Sequence, residues 1–542
     1  MKRPALALFF FLFFTYFLFS AGAAPKGDAY LPLTAAIELV QGKGILETRS
    51  MPGLAFLLVP IAFVANTVIS GLFADESRWV ALIWIANLFP ALVTAGTATA
   101  LFRIARALGH APRLALFAAL VFAFATPAAV YAKNIFPQPA EAFFLTLAIW
   151  GLVAARARAA AYAAPADGAA APRGALLASK PLILSGLAFG ALLLVKLVAL
   201  AALPAFAFFV WRAERDGRGL ARLVRWASPI CVLALLYLPY NAAAHGGAFN
   251  FGYADGRDAY WGFATPLLIG AYGLLLSPGK GLFFYAPILV IAIAGGVRLA
   301  RRDRALATLL LGAAAGWFVV HAKWWAWHAD HAWGPRYLVP LLPIATLLVA
   351  EALRAFRPRR DARTLLLAAL VLMSAGIQAM GASYAVDAYQ VLTYDTVIPR
   401  YDAALGAAGP RDDEIHVHMI PEFSPLVGHV WLLRHALRGD GADAYRSDYP
   451  WRALRPDGAW EPLVTDPPRV DYWLTRFPRN YPSRRGVVRL VAALCVAGAA
   501  ASVALLVRAM GAARSTGDPS TPAAPGAPAA SAESATAARP VA

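Results

Sequence analysis

Charge is scarce in this chain. Of its 542 residues only 15% are Asp, Glu, Lys or Arg, 60% are hydrophobic, and the mean hydropathy is +0.58. Soluble domains carry about 25% charged residues, so a large soluble core is excluded and a polytopic membrane protein is indicated. Cysteine is nearly absent. Cys231 and Cys495 both sit inside apolar runs, which excludes a disulfide framework and gives no metal-ligand spacing. Acidic residues are the minority sign, 31 against 49 basic. The resulting +18 does not point to nucleic acid, because the arginines lie in short loops between apolar runs. That is the positive-inside pattern, with attraction to anionic lipid headgroups. Lysine is sparse as well, and unevenly placed.

What is abundant is apolar helix. At roughly 20 residues per span, the hydrophobic blocks predict an all-α polytopic fold of about 12 transmembrane helices. Lys2 and Arg3 precede the apolar run Ala5 to Phe19, which reads as a signal peptide or an uncleaved anchor. The many later spans favour the anchor. Residues 30–48 carry apolar side chains at helical spacing around Glu38 and Lys43, as in a helix lying in the membrane interface. If blocks 53–73 and 79–102 both spanned, the basic loop with Arg103, Arg106 and Arg113 would fall outside, against the positive-inside rule. Pro52, Pro60, Asn66 and Gly71 make 53–73 a poor straight span. It is therefore predicted to be an interfacial or re-entrant helix. The block 266–276 is assigned to the outer surface for the same reason, and two short spans, 181–195 and 199–211, meet around Lys196. These assignments divide the chain into a membrane module 1–385, a polar extracytoplasmic domain 386–486 and a last span 487–510. The tail 511–542 has a cytoplasmic placement and a disordered composition.

This topology gathers Asp28, Glu38, Asp75, Glu76, Glu141, Asp255, Asp258 and Asp330 on the outer face. Lys26, Lys43, Lys133, Lys196, Lys280 and Lys323 join them, while the cytoplasmic loops use arginine. Ionisable groups near helix ends in a membrane are functional candidates by default. The plainer reading is that each lysine merely snorkels to the interface. The loop from His321 to Arg336 holds Trp324, Trp325, Trp327 and Trp333, either as interfacial anchors or as faces on which sugar rings stack. Its histidines His321, His328 and His331 place two on one helix face, but no matched carboxylate helix supports zinc. No metal or other cofactor is assigned. His416 and His418 alternate as on a strand, and the nearby Asp412, Asp413 and Glu414 favour a solvated loop.

Five segments, in order, carry a resemblance. They are Gly27-Asp28-Ala29-Tyr30, Tyr131-Ala132-Lys133-Asn134 through Glu141, Gly186 to Gly190 with Lys196, Ser277-Pro278-Gly279-Lys280-Gly281, and Trp333-Gly334-Pro335-Arg336-Tyr337. Over residues 1–385 this ordered pattern resembles the GT-C superfamily of membrane glycosyltransferases that use polyprenyl-phosphate sugars. That group includes protein O-mannosyltransferases and lipid A aminoarabinose transferases. The chain departs from it at Ala29, where many relatives carry a second acid, and at Met51-Pro52-Gly53-Leu54, where a Pro-Pro-Leu-like start is usual.

The resemblance implies a multi-pass protein of the bacterial inner membrane whose active site faces the periplasm. Its partners would be a polyprenyl-phosphate-linked sugar, membrane lipids and an extracytoplasmic acceptor. Asp28 would be the general base, with Glu141 in the second acidic position, orienting the acceptor. Inverting sugar transfer needs a base for the acceptor's proton and cations for the leaving phosphate. Arg336 suits the phosphate because its fork binds bidentately, and Lys196, Lys280 and Lys133 follow. Tyr30, Trp324, Trp327 and His328 are the candidates for sugar or acceptor contact. Arg336 as an anchor of its span and Glu141 as a helix N-terminal cap stay open. So do two other classes of function. A flippase for lipid-linked saccharides would need charge along a path through the membrane, whereas a scaffold presenting residues 386–486 would not need Asp28.

Overall fold

The computed structural model describes residues 2–22, 30–44, 52–72, 77–162, 180–212, 217–251, 262–329, 331–394, 397–404, 417–454 and 469–515. Every element among them is helical. Six helices are long and apolar enough to cross a membrane: Ala81–Ala107, Pro137–Ala159, Gly219–His245, Arg304–Lys323, Ala362–Ser383 and Pro482–Gly511. Shorter apolar helices fill in between, among them Arg3–Leu18, Pro112–Phe124, Lys180–Val195 and Leu197–Arg212. Asp28 lies outside the described residues, as do Asp75, Glu76, Asp330 and His416.

Small residues set the helix spacing. Without a hydrophobic drive between helices in lipid, close backbone approach supplies the packing. At Gly316 a Cβ would overlap the Ala201 carbonyl oxygen, and at Gly295 it would overlap that of Leu348. The helix Lys2–Leu18 is a core element, with Ala5, Leu8 and Leu12 fully buried. The helix Lys180–Val195 stops at Lys196, whose backbone is extended (φ −153°, ψ 118°), and the chain resumes as the 3-10 helix Leu197–Ala202. Phe189 and Phe206 meet at 4.9 Å across this break. The two short segments meet around Lys196, as expected. The helix Gly53–Leu72 packs beside Tyr30–Val40 through Leu33, Ile37, Leu54 and Leu58, in one apolar cluster with Val195. The helix Leu267–Leu276 has only ten residues.

Among the described residues, buried charged groups cluster at the two ends of the bundle. At one end Glu351 lies 3.1 Å from Arg302 and 3.3 Å from His110, and Arg354 stands 3.6 Å away. Asp303 caps Arg304–Lys323 through the Leu306 N–H and pairs with Arg156 at 2.7 Å. Arginine supplies this end because its fork reaches several acceptors at once.

Lysine supplies the other end. The Lys133 ammonium donates to the carbonyls of Ala382 (2.8 Å), Tyr384 (3.0 Å) and Asp471 (3.0 Å), and lies 3.4 Å from the Asp471 carboxylate. Both side chains are 2–3% exposed. The same knot holds the end of the first helix. Ala21 N–H donates to the Lys133 carbonyl, Gly22 N–H to Asp471, and Trp473 N–H to the Ser20 carbonyl. Burial pulls the Lys133 ammonium below the ordinary lysine range, and the Asp471 carboxylate opposes that shift. With three donors and three carbonyls, this ammonium is committed to structure.

Beyond this end, Tyr384, Tyr389, Phe423, Trp431, Tyr445 and Trp451 form a separate aromatic cluster. His418 is not solvated as its acidic neighbours suggested. It is 2% exposed, and its ring lies 4.6 Å from that of His328. Val417 and Phe423 draw its segment into the aromatic cluster. His429 is fully buried at the joint with the bundle, 4.6 Å from the Trp333 ring. Its Nδ1–H donates to the Pro425 carbonyl.

Breaking a buried pair from one side strands the other charge and costs about 3–5 kcal/mol. Lys133→Met or Asp471→Asn is therefore expected to lower the unfolding temperature of the detergent-solubilised protein sharply. The double variant Lys133→Met with Asp471→Leu should recover part of the loss, since the stranded carboxylate is gone. A second expectation concerns acid. Burial pushes His429 from 6.5 down to about 4, so between those values the unfolded chain binds a proton that the folded chain refuses. Stability present above about pH 6.5 should decline towards pH 4, and His429→Phe should flatten that limb of a thermal-unfolding pH series.

Candidate active site

The motif Trp333-Gly334-Pro335-Arg336 is fixed by its neighbours before it presents any charge. The Tyr131 hydroxyl donates to the Trp333 carbonyl at 2.8 Å. Trp333 Nε1–H donates to Gln378 at 3.2 Å, and the Ala332 carbonyl accepts from both Lys280 (2.8 Å) and Gln390 (3.2 Å). Gly334 then turns the chain at φ +59°, a conformation costly for any residue with a Cβ. A Cβ there would also stand 2.9 Å from the Tyr285 ring. Arg336 N–H closes the turn on the Gly334 carbonyl.

What this turn delivers is a hub on Tyr337. The Arg336 guanidinium lies 5.4 Å from the Tyr337 ring centre and 5.5 Å from that of Phe136. Lys196 Nζ lies 6.0 Å from the same Tyr337 ring, and His321 stacks on it at 4.7 Å. Aromatic faces attract cations, so a single ring gathers both. Trp317 braces the hub twice. Its indole N–H donates to the Tyr337 carbonyl, and its own carbonyl accepts from His321 Nδ1. A carbonyl can only accept, so Nδ1 carries the hydrogen and the neutral ring keeps its lone pair on Nε2.

Glu141 faces this hub from the first turns of Pro137–Tyr162. It is 1% exposed, and Lys196 and Arg336 are the cations whose fields reach it. The arrangement is one buried acid and two cations, with Glu141 and Arg336 buried and Lys196 half-buried; out of water such charges interact far more strongly.

The other candidates divide. Arg336, Lys196 and Glu141 come together as described. Lys133 does not join them, because its three N–H groups are spent on carbonyls and its charge on Asp471. Lys280 is fully buried beneath the segment around His418, with Gly279 N–H donating to the His418 carbonyl. Trp327, expected as a sugar-stacking face, is instead core. It is 0% exposed and clusters with Leu274, Ala322 and Leu338. His328 is likewise buried, 5.6 Å from Trp327 and 4.6 Å from His418. Trp324 is half-buried, its ring centre 5.4 Å from that of Phe263 in an edge-on contact. Tyr30 opens the helix Tyr30–Val40, and Asp28 precedes the described part of that helix.

Three residues were missed. Tyr337 was quoted only as the end of a motif, and its aromatic ring beside Arg336 was a signal that went unused. His321 drew attention only as a metal candidate. Asp471, the partner of Lys133, stood in a polar stretch with nothing to distinguish it.

No known family profile matches the sequence, and no curated protein matches it. Among solved structures, the chain is similar to the oligosaccharyltransferase AglB from Archaeoglobus fulgidus, solved with an inhibitory peptide and a dolichol-phosphate. The identity is 14%, over 76% of this chain and 60% of that one, with a TM-score of 0.44. It is also similar to ArnT from Cupriavidus metallidurans bound to undecaprenyl phosphate, at 17% identity over 95% of this chain and 78% of that one, with a TM-score of 0.41. The chain thus spans 60% of the length of the archaeal protein. These likenesses are distant, and no residue role is taken from them.

Gly334→Ala should cost about 1–2 kcal/mol through its backbone angle alone. The Tyr285 contact adds to that and displaces Arg336. The expected result is a lowered unfolding temperature, with the larger loss in any activity that depends on Arg336. A variant as stable and active as the wild type would mean that the turn does not set the position of Arg336.

Proposed function

We propose that this chain is an inverting membrane glycosyltransferase that moves a sugar from a polyprenyl-phosphate donor to an extracytoplasmic acceptor. The observation that carries the reading is the pairing of Arg336 and Lys196 over the Tyr337 ring, opposite the buried Glu141. Two cations gathered on one aromatic ring at one end of a helical bundle suit a lipid phosphate whose charge grows as it leaves. The ordered resemblance of residues 1–385 to the GT-C superfamily points the same way.

In this mechanism Asp28 takes the proton of the acceptor hydroxyl or amine. The freed lone pair attacks the anomeric carbon from the face opposite the phosphate. The new bond forms to the acceptor, the bond to the phosphate oxygen breaks, and polyprenyl phosphate departs with the electron pair. Arg336 binds the phosphate with its fork and Lys196 adds a point charge. Lys133 acts at a distance, by holding the end of the first helix through Ala21 and Asp471. The proposed topology has twelve passes, with the Lys133 end on the periplasmic side of the inner membrane and the arginine end in the cytoplasm. A flippase is less well supported, because the buried charged groups described lie at the two ends and line no path between them.

Asp28→Asn should abolish transfer while leaving the protein folded and able to bind lipid phosphate. The test is glycan and lipid profiling of a deletion strain complemented with wild type or variant. Full rescue by Asp28→Asn would overturn the base assignment. Arg336→Lys keeps the charge but loses the fork, and should weaken undecaprenyl phosphate binding about tenfold, ~1.4 kcal/mol, as read by ligand-induced thermal shift.

A further inference from the structure

Two buried acceptors at the start of the helix Pro137–Tyr162 have no use in the mechanism as described. Gln138 is 1% exposed and its Oε1 has no hydrogen-bond partner among the described residues. Glu141 is 1% exposed and its Oε1 is in the same state. Both belong to the helix Pro137–Tyr162, and residues three apart on a helix are surface neighbours. Leaving a buried acceptor unpaired is costly, and native interiors hold few such groups. Two of them three residues apart on one helix, with Glu141 in the field of Lys196 and Arg336, mark a place where donors arrive with a ligand.

We infer that Gln138, together with Glu141, forms a hydroxyl-reading pair that selects the sugar of the lipid-linked donor. The ligand must bring hydrogen-bond donors, since both orphaned atoms only accept. It must also sit close to the phosphate. Arg336, placed to hold that phosphate, lies against Phe136, two residues before Gln138. Because Gln138 follows Phe136 by two residues, a ligand group reaching it from a phosphate on Arg336 would be the sugar attached to that phosphate, which favours the donor over the acceptor as the source. This inference rests on the glycosyltransferase reading and adds a specificity determinant to it. A site built to pair a hydroxyl rejects analogues that lack it, because its own polar atoms are then stranded. Gln138 therefore discriminates sugars and does not touch the bond that breaks.

The experiment compares the purified full-length wild type with Gln138→Leu and Gln138→Ser, by binding in detergent. The probes are undecaprenyl phosphate without sugar and undecaprenyl phosphate carrying mannose, glucose or an aminopentose. Wild type should bind one sugar-bearing probe at least tenfold more tightly than the bare lipid. Both variants should keep bare-lipid affinity within about twofold and lose about tenfold for that preferred probe, flattening the preference among sugars. Retained bare-lipid binding also shows that the variants are folded. Unchanged sugar preference in both variants would overturn the inference and leave the two acceptors to bound water. An equal loss for bare and sugar-bearing lipid in both would overturn it as well. If the wild type binds none of these lipids, the glycosyltransferase reading itself fails, a result distinct from the others.

Discussion

A buried ammonium must find its hydrogen bonds inside the protein, and Lys133 finds them at the meeting point of four distant segments. The carbonyls of Ala382 and Tyr384 come from the end of one long helix and its exit. The carbonyl and carboxylate of Asp471 come from the approach to the last. The end of the first helix is stitched to both through Ala21 and Gly22. Desolvating this pair is expensive, so the geometry around it has little freedom to drift. The loop that follows Lys133 leads through Phe136 into Gln138 and Glu141. The anchor therefore also fixes where those side chains stand.

From that anchor the site is assembled by ring faces and carbonyls more than by ion pairs. Tyr131 reaches across to the Trp333 carbonyl, Trp317 holds both His321 and Tyr337, and the Tyr337 ring gathers two cations and an imidazole. Glu141 lies in the field of both Lys196 and Arg336.

Much of this was legible in the sequence, for reasons that can be named. The helical bundle follows from apolar blocks of membrane length, and the break at Lys196 from two apolar runs each too short to cross alone. The importance of Trp333 to Arg336 could be read because a glycine and a proline in an otherwise apolar setting announce a turn. The role of Lys133 was not legible, since its partner Asp471 lies 338 residues away and burial of a lysine leaves no mark on composition. Trp327 and His328 misled for the opposite reason. A tryptophan-rich loop reads as interfacial, and only the overlying segment around His418 turns those two rings into interior. The span count shows the limit of length rules. Six helices meet them, while several others break at glycine or proline and carry their apolar surface in shorter pieces.

The close approach of helices at Gly316 and Gly295 constrains how the protein can diversify. Where one helix touches the carbonyl oxygens of its neighbour, a single added methyl group forces the two apart. Descendants of this sequence cannot respace these helices in small steps at these positions. New specificities are more accessible through side chains that project from fixed walls, and the first turns of Pro137–Tyr162 are such a place. The scaffold is in this sense conservative by geometry, and its variability is channelled into a few projecting residues.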